Sequence, residues 1–382
     1  MTERAYLDWN ATAPLRREAR DAMVAALAAV GNPSSVHAEG RAARQLIEKA
    51  REQVATLLGG EPRNVVFTSG GTEANTLALS PRIGTRHCER LLVSAIEHPS
   101  VLVGGRFGAV EKIPVTADGC VDLPALRRAL SASSGCALVS IMLANNETGT
   151  VQPIPEAARL VHEAGGLLHV DAVQAVGRIP CDIKALGADL LTVSGHKIGA
   201  PKGVGALVKA DEALHLADPL IKGGGQERGA RAGTENVAGI AGFGAAAAVV
   251  RREFAAEAER LAVLRDRLER GIQEISPAAV IFGARLERVP NTVLFAVPGM
   301  KAETAIIALD LDGVAVSSGS ACSSGKVTPS HVLAAMGVSP ALARGAVRVS
   351  VGASTAESEI EHFLSAWRKL YSSLTNRQEK AA

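Results

Sequence analysis

Lys197 stands in Ser194-Gly195-His196-Lys197, directly after the apolar run Leu190 to Val193 and before the Gly- and Pro-rich run Gly199-Ala200-Pro201-Lys202-Gly203. That puts an amine on a strand-end loop, where ligands bind in open α/β sheets. A loop lysine is ordinarily a solvated charge, so its company decides. Upstream, His169-Val170-Asp171-Ala172-Val173-Gln174 ends another apolar run with an acid, which is costly to bury unless a cation meets it. A protonated pyridine nitrogen is one such partner. Capping the next helical turn is the ordinary job of a carboxylate at that point, and the two roles are compatible. A strand-end Asp with a downstream Lys is the pairing that a pyridoxal cofactor needs.

Two further segments carry chemistry. Thr68-Ser69-Gly70-Gly71-Thr72-Glu73-Ala74-Asn75 closes one short apolar run and opens a helical one, so backbone donors, hydroxyls and a positive helix end converge. That is a cup for a phosphate, although Gly-Gly-Thr before a helix is also plain turn and cap chemistry. It is neither a Walker loop nor a dinucleotide fingerprint, since the Gly-Lys-Ser/Thr ending and the three-glycine spacing are missing. The run from Ser317 to Lys326 is built of small polar residues around Cys322, so it can neither pack a core nor hold one rigid shape. A thiol there is expected to be exposed and mobile, which favours a reactive role for Cys322.

The elements that must position these residues follow from periodicity. From Glu39 to Leu58 the apolar residues Ala43, Leu46, Ile47, Ala50, Val54 and Leu57 recur at helical spacing, and Gly59-Gly60 supplies the stop. Short β-rich runs then alternate with helical ones at Val65 to Thr68, Leu91 to Ala95, Leu138 to Leu143, Leu167 to Asp171, Leu190 to Val193 and Gly205 to Val208. These runs are continuously apolar, which predicts a doubly wound, mostly parallel α/β sheet covered on both faces. A long charged helix over Ala248 to Ile275 leads to a strand at Asn291 to Val297, a helix near Ala302 to Leu311, a strand at Ala346 to Val351 and a last helix from Glu357. Residues 14–250 are thus expected to form a large domain, and 1–13 with 251–382 a smaller α+β domain carrying Cys322.

Composition narrows the classes. The 382 residues carry a formal net charge of +2 with Lys and Arg scattered, so no nucleic-acid footprint is visible. The opening Met1 to Tyr6 lacks an apolar signal core, and the most apolar stretch, Val237 to Val250, is short and rich in Ala and Gly. No membrane partner and a cytoplasmic location are therefore expected. Cys88, Cys120, Cys136, Cys181 and Cys322 are odd in number and widely spaced, which argues against a disulfide framework or a zinc site.

Together these segments resemble the NifS/IscS group of cysteine desulfurases, within the class V family of pyridoxal-phosphate enzymes of aminotransferase fold type I. The resemblance runs through nearly the whole chain in order: Tyr6 to Thr12, Thr68 to Asn75, Glu97-His98-Pro99, Asn145 to Gly149, Asp171 to Gln174, Ser194 to Lys197, Gly223 to Asn236 and Ser317 to Cys322. It implies that Lys197 holds pyridoxal 5'-phosphate covalently, that Asp171 keeps the pyridine nitrogen protonated and that Gln174 donates to the ring oxygen. His98 would stack on the ring and relay protons, although a core histidine is the plain alternative. Asn146 would contact cofactor and substrate, and Arg348 would clamp the substrate carboxylate, where a strand-edge charge is the plain alternative. Gly71, Thr72, Ser194 and His196 would bind the phosphate, with Thr234 reaching it from the other subunit of a homodimer.

On the same resemblance, the Cys322 thiolate takes sulfur from L-cysteine as a persulfide and leaves L-alanine. The sulfur would pass to an iron–sulfur scaffold or other acceptor protein, with Cys322 a transient ligand of a shared 2Fe–2S cluster. Gly225-Gln226-Glu227-Arg228-Gly229 leans toward the nitrogen-fixation branch. Trp9 departs from the family, which usually has a small or amide residue there, and the segment from His98 to Ile113 is short. An aminotransferase, a selenocysteine lyase or a cluster scaffold with a vestigial cofactor site are the rival readings.

Overall fold

The apolar runs become a seven-stranded sheet in the order Val65–Thr68, Gly205–Lys209, Leu190–Ser194, Leu167–Asp171, Ala137–Met142, Arg90–Ser94 and Glu111–Ile113. This is a computed structural model, and it describes residues 4–132, 135–318 and 329–379, with side chains through Leu374. Gly205–Lys209 pairs antiparallel with both neighbours, while the other pairs are parallel. Successive side chains go to opposite faces. Val66, Leu138, Leu190 and Leu207 enter one hydrophobic cluster, and Phe67, Val139, Leu191 and Val208 the other. Both faces are therefore covered, as the unbroken apolar runs require.

The strand bounds differ from the sequence reading by a residue or so, but Glu111–Ile113 was missed altogether. It is an edge strand whose Glu111 and Lys112 are exposed, so it shows no apolar run. The helix Ala38–Leu57 buries Ala43, Ile47, Ala50 and Val54, and Gly59 follows it at φ +66, a backbone state that favours glycine. The stretch Val237 to Val250 and the charged segment after it form one helix, Val237–Ile275, capped by the Asn236 side chain. Its first half packs Phe243, Ala246 and Val250 into the large sheet's cluster, and its second half packs Leu261, Leu264 and Leu268 into another.

That other cluster lies against a four-stranded antiparallel sheet, Val280–Ile281, Thr292–Ala296, Val347–Ser350 and Ser317–Ser318. Trp367 from the last helix, Glu357–Glu379, meets Phe295 edge-on at 4.9 Å between ring centroids. Ala5–Tyr6 pairs in parallel with Val314–Ala315, and Asp8 bridges to Ser350, so the segment after Tyr6 is carried to the large sheet's strand ends. Trp9 is seated on Gly352, where an added Cβ would fall 2.0 Å from the indole. The bulky ring that sets Trp9 apart is thus accommodated by a residue without a side chain. Among the described residues no helix is long and apolar enough to cross a membrane.

Candidate active site

Thr68, Met142, Asp171 and Ser194 end parallel strands on the same edge of the large sheet, and a cavity of about 500 Å3 opens there. Gly71, Thr72, His98, Asn146, Asp171, Gln174, Ser194, His196, Lys197 and Arg348 all line it. Ten residues chosen on sequence, from segments spread between positions 71 and 348, thus meet in one place. Thr234 is not among them. It faces a separate hollow that shares Ser69 and Gly203 with the cavity. Cys322 lies outside the described residues.

One part of the cavity is built for an anion. The helix Gly71–Ala78 starts against Ser194, and a Cβ on Gly71 would stand 3.0 Å from Val173 Cγ2 and 3.3 Å from Ser194 Cβ. Any side chain there would fill the cradle or push the helix end away. The free N–H groups of that first turn and the Thr72 and Ser194 hydroxyls are the donors an oxyanion needs. His196 Nδ1 is 3.1 Å from Thr12 Oγ1. Burial, with Lys197 and Lys202 adding to it, pushes His196 down to about 4, so it serves as a neutral imidazole. Glu73 also lines the cavity, but its carboxylate accepts from the Ser69 N–H at 2.7 Å and from Arg231 Nε at 3.1 Å.

Another part is built for a cation. Asp171 is 5% exposed, and its carboxylate accepts from the Val173 N–H at 3.0 Å and from Asn75 Nδ2 at 2.8 Å. The first bond is the turn-capping role, so that ordinary job is real. Among the described residues, however, no Lys, Arg or His lies within ion-pair distance of Asp171. A buried carboxylate that borders a cavity and is held there by two N–H donors suits a cationic ligand, and a pyridinium nitrogen fits.

Asn75 Nδ2 also donates to Ser100 Oγ at 2.9 Å, which lies 2.7 Å from His98 Nδ1. The Ser100 N–H donates to the same nitrogen at 3.1 Å, so Nδ1 is an acceptor and the neutral ring carries its proton on Nε2. Burial, with help from Lys197 and His331 and against Asp171, holds His98 below its ordinary value. Asn75 and Ser100 had no role in the sequence reading, because a hydrogen-bond relay between two short helices has no spacing signature. Beside His98, fully buried Glu97 is pushed up to about 8 by burial.

Lys197 Nζ donates to the backbone carbonyls of Asn10 and, at 2.9 Å, Ala11. Gln174 Nε2 reaches the same Asn10 carbonyl at 3.0 Å. Arg348 sits in the interior of its sheet at 2% exposure, so the strand-edge alternative fails. Its Nη2 donates to Asp8 Oδ1 at 2.9 Å and its Nη1 to the Asn146 carbonyl at 3.0 Å. Asp8 Oδ2 in turn accepts from Ser317 Oγ at 2.8 Å. Asp8 and Asn10 are the parts of the Tyr6 to Thr12 motif whose work only the fold reveals.

None of the described cysteines, Cys88, Cys120, Cys136 and Cys181, lines the cavity. Cys88 and Cys181 are buried, and burial raises both thiols well above their ordinary value. Burial also raises Cys120. Among the described residues no group of three His, Cys, Asp or Glu side chains could hold a metal ion.

Residues 5–363 match the family described as Aminotransferase class-V. The chain belongs to the class-V aminotransferase family. Within that family it is 45% identical to a cysteine desulfurase of Cereibacter sphaeroides, covering 95% of this chain and 94% of that one. It is 41% identical to the cysteine desulfurase IscS of Dictyoglomus turgidum, covering 98% and 96%. Among solved structures it is similar to a NifS-like protein from Rickettsia africae, with a TM-score of 0.89, 36% identity and coverage of 97% and 100%. A structure described as SspA in complex with cysteine matches at a TM-score of 0.76 and 31% identity over 91% and 99%. The doubly wound fold is thus shared with these solved structures, as the resemblance read from the motifs implied.

Proposed function

We propose that this class-V protein is a pyridoxal-phosphate-dependent cysteine desulfurase, which takes sulfur from L-cysteine and leaves L-alanine. The observation that carries the reading is one cavity holding Lys197, a buried Asp171 carboxylate, and an anion cradle at Gly71 and Ser194. The names of the relatives support the choice of reaction. Bound there, pyridoxal phosphate supplies an electron sink for charge developing at the substrate α-carbon.

The chain's own residues do the rest. Asp171 would keep a pyridine nitrogen protonated, Gln174 would donate to the ring oxygen, and His98 would cover the ring face. Gly71, Thr72, Ser194 and His196 hold the phosphate. Lys197 would anchor the cofactor through its amine, and the same amine would serve as the base that moves the substrate α-proton. Arg348 pairs with the substrate carboxylate through its planar fork, with Asn146 beside it. The Cys322 thiolate then attacks the substrate sulfur: an S–S bond forms, the C–S bond breaks, and the electron pair returns to carbon.

In this reading residues 14–250 are the cofactor-binding domain, and 1–13 with 251–382 the domain that brings Cys322. The working unit is a cytoplasmic homodimer, in which Thr234 serves the phosphate of the second copy. Its placement in a hollow beside the cavity, rather than in it, supports that role. Sulfur leaves Cys322 for an iron–sulfur scaffold or other acceptor, with a transient shared 2Fe–2S cluster and nitrogenase assembly as one destination.

The test is chemical. Incubation with L-cysteine and a thiol reductant should yield alanine and sulfide, and borohydride should fix the cofactor to Lys197 by peptide mapping. An adduct on Lys202 or Lys209, or transamination without sulfide, overturns the assignment. Full activity in a protein that sediments as a monomer removes the role given to Thr234.

A further inference from the structure

Behind Gln174 lies a guanidinium that the proposed reaction leaves unused. Arg178 is 7% exposed, and among the described residues no carboxylate lies within ion-pair distance of it. Glu257, whose field reaches it, is paired at 3.0 Å with Arg16. Burial lowers the guanidinium to about 10, so it remains a cation at neutral pH. A buried cation lacking a carboxylate is costly, and its hydrogen bonds show where that charge is spent.

Arg178 Nη1 donates to the backbone carbonyl of Gln174 at 2.6 Å and to Gln174 Oε1. A guanidinium has only donors, so the amide atom facing it must be oxygen. At the other end, Gln174 Nε2 meets the carbonyl of Asn10, which can only accept. Both neighbours specify the same orientation. A flipped amide would set N–H against guanidinium and oxygen against carbonyl, two mismatches at a buried site. The one polar hydrogen left on Gln174 Nε2 is then the donor that this side chain can offer to the cavity it lines.

The geometry points to Arg178 as the positioning residue for the cofactor's ring oxygen: by pinning Oε1 it makes Gln174 an obligate donor, unable to present oxygen to an anionic oxygen. This rests on the pyridoxal-phosphate reading above. The same Asn10 carbonyl receives Lys197 Nζ, so the pinned amide and the anchoring amine are registered on one backbone atom.

The experiment is a double-mutant cycle on cofactor affinity, read by titrating apo-protein with pyridoxal phosphate and following the visible absorption band. Arg178→Met should weaken binding about tenfold, the scale of one hydrogen bond between charged and neutral groups. Arg178→Lys, which keeps a charged donor, should lose no more than about threefold. Gln174→Ala should weaken binding and displace the band. Adding Arg178→Met to it should cost little further, because the Oε1 that Arg178 pins is already gone. The bands of the two single variants should coincide, which a loss of general stability would not produce.

Additive losses, or Arg178→Lys as damaging as Arg178→Met, overturn the inference. If Arg178→Met fails to fold, Arg178→Gln takes its place in the cycle with the same non-additivity expected. Wild-type apo-protein that binds no pyridoxal phosphate overturns the proposed function itself, a separate outcome from an additive cycle.

Discussion

Glu97 offers a sharp test of how the site is built, because its carboxyl is fully buried beside His98 and held near neutrality. Ser94 Oγ donates to Oε1 at 2.6 Å and the Met142 N–H at 2.7 Å, while Oε2 has no partner among the described residues. Burial, with the Asp171 charge adding to it, raises the group from an ordinary 4.5 to about 8. The folded protein therefore holds a proton that the unfolded chain gives up. Stability from this source is complete below pH 4.5 and is lost as pH rises to about 8. At ~1.4 kcal/mol per tenfold change in proton affinity the ceiling is about 5 kcal/mol. Glu97→Gln cannot titrate, but the amide leaves an N–H where Oε2 had no partner, at about 1–3 kcal/mol. The variant should then be less stable than wild type by about 1 kcal/mol near pH 5 and more stable by about 2 near pH 8. Urea unfolding of both apo-proteins at those pH values and one protein concentration measures the difference. Curves that run parallel, without crossing, refute the claim that this carboxyl is neutral in the fold.

Three further outcomes are expected. Cys322→Ala should bind pyridoxal phosphate and change its spectrum with L-cysteine, yet release no sulfide; sulfide at a wild-type rate, or extra sulfur mapped to another cysteine, removes Cys322 from the reaction. Arg348→Lys should raise the KM for cysteine about tenfold or more while cofactor affinity holds, since an ammonium cannot reproduce the bidentate fork; steady-state kinetics beside a cofactor titration decide this. Gly352→Ala should destabilise by about 1–3 kcal/mol through overpacking on the Trp9 indole, and Gly352→Ala with Trp9→Ala should recover part of the loss in thermal unfolding.

Residues whose chemistry is local were legible in the sequence. Lys197, Asp171 and the Thr68 to Asn75 cup each end a continuously apolar strand run, so their shared sheet edge follows from topology alone. Residues that act through a partner distant in sequence were not. Asp8 gains meaning only when Ser317 and Arg348 arrive, and Ser100 only when Asn75 and His98 bracket it. Arg178 had no place in the sequence reading, because nothing in the spacing tells that it is buried. The strand Glu111–Ile113 escaped because an exposed edge has no need of apolar residues. The expected exposure of Cys322 falls outside the described residues and stays a proposal.

The carbonyls that receive Lys197 belong to Asn10 and Ala11, in a segment whose neighbours pair with Val314–Ala315 and Ser350. During synthesis, residues 5–12 leave the ribosome long before the strands that will hold them. The large sheet, whose strands lie between residues 65 and 209, can assemble while that leading segment still waits for its own. The cavity wall is thus finished after the sheet, by joining a stretch made before it to strands made after it. A nascent chain cannot complete its cofactor site, and no partly made copy should be able to start the chemistry of releasing sulfur.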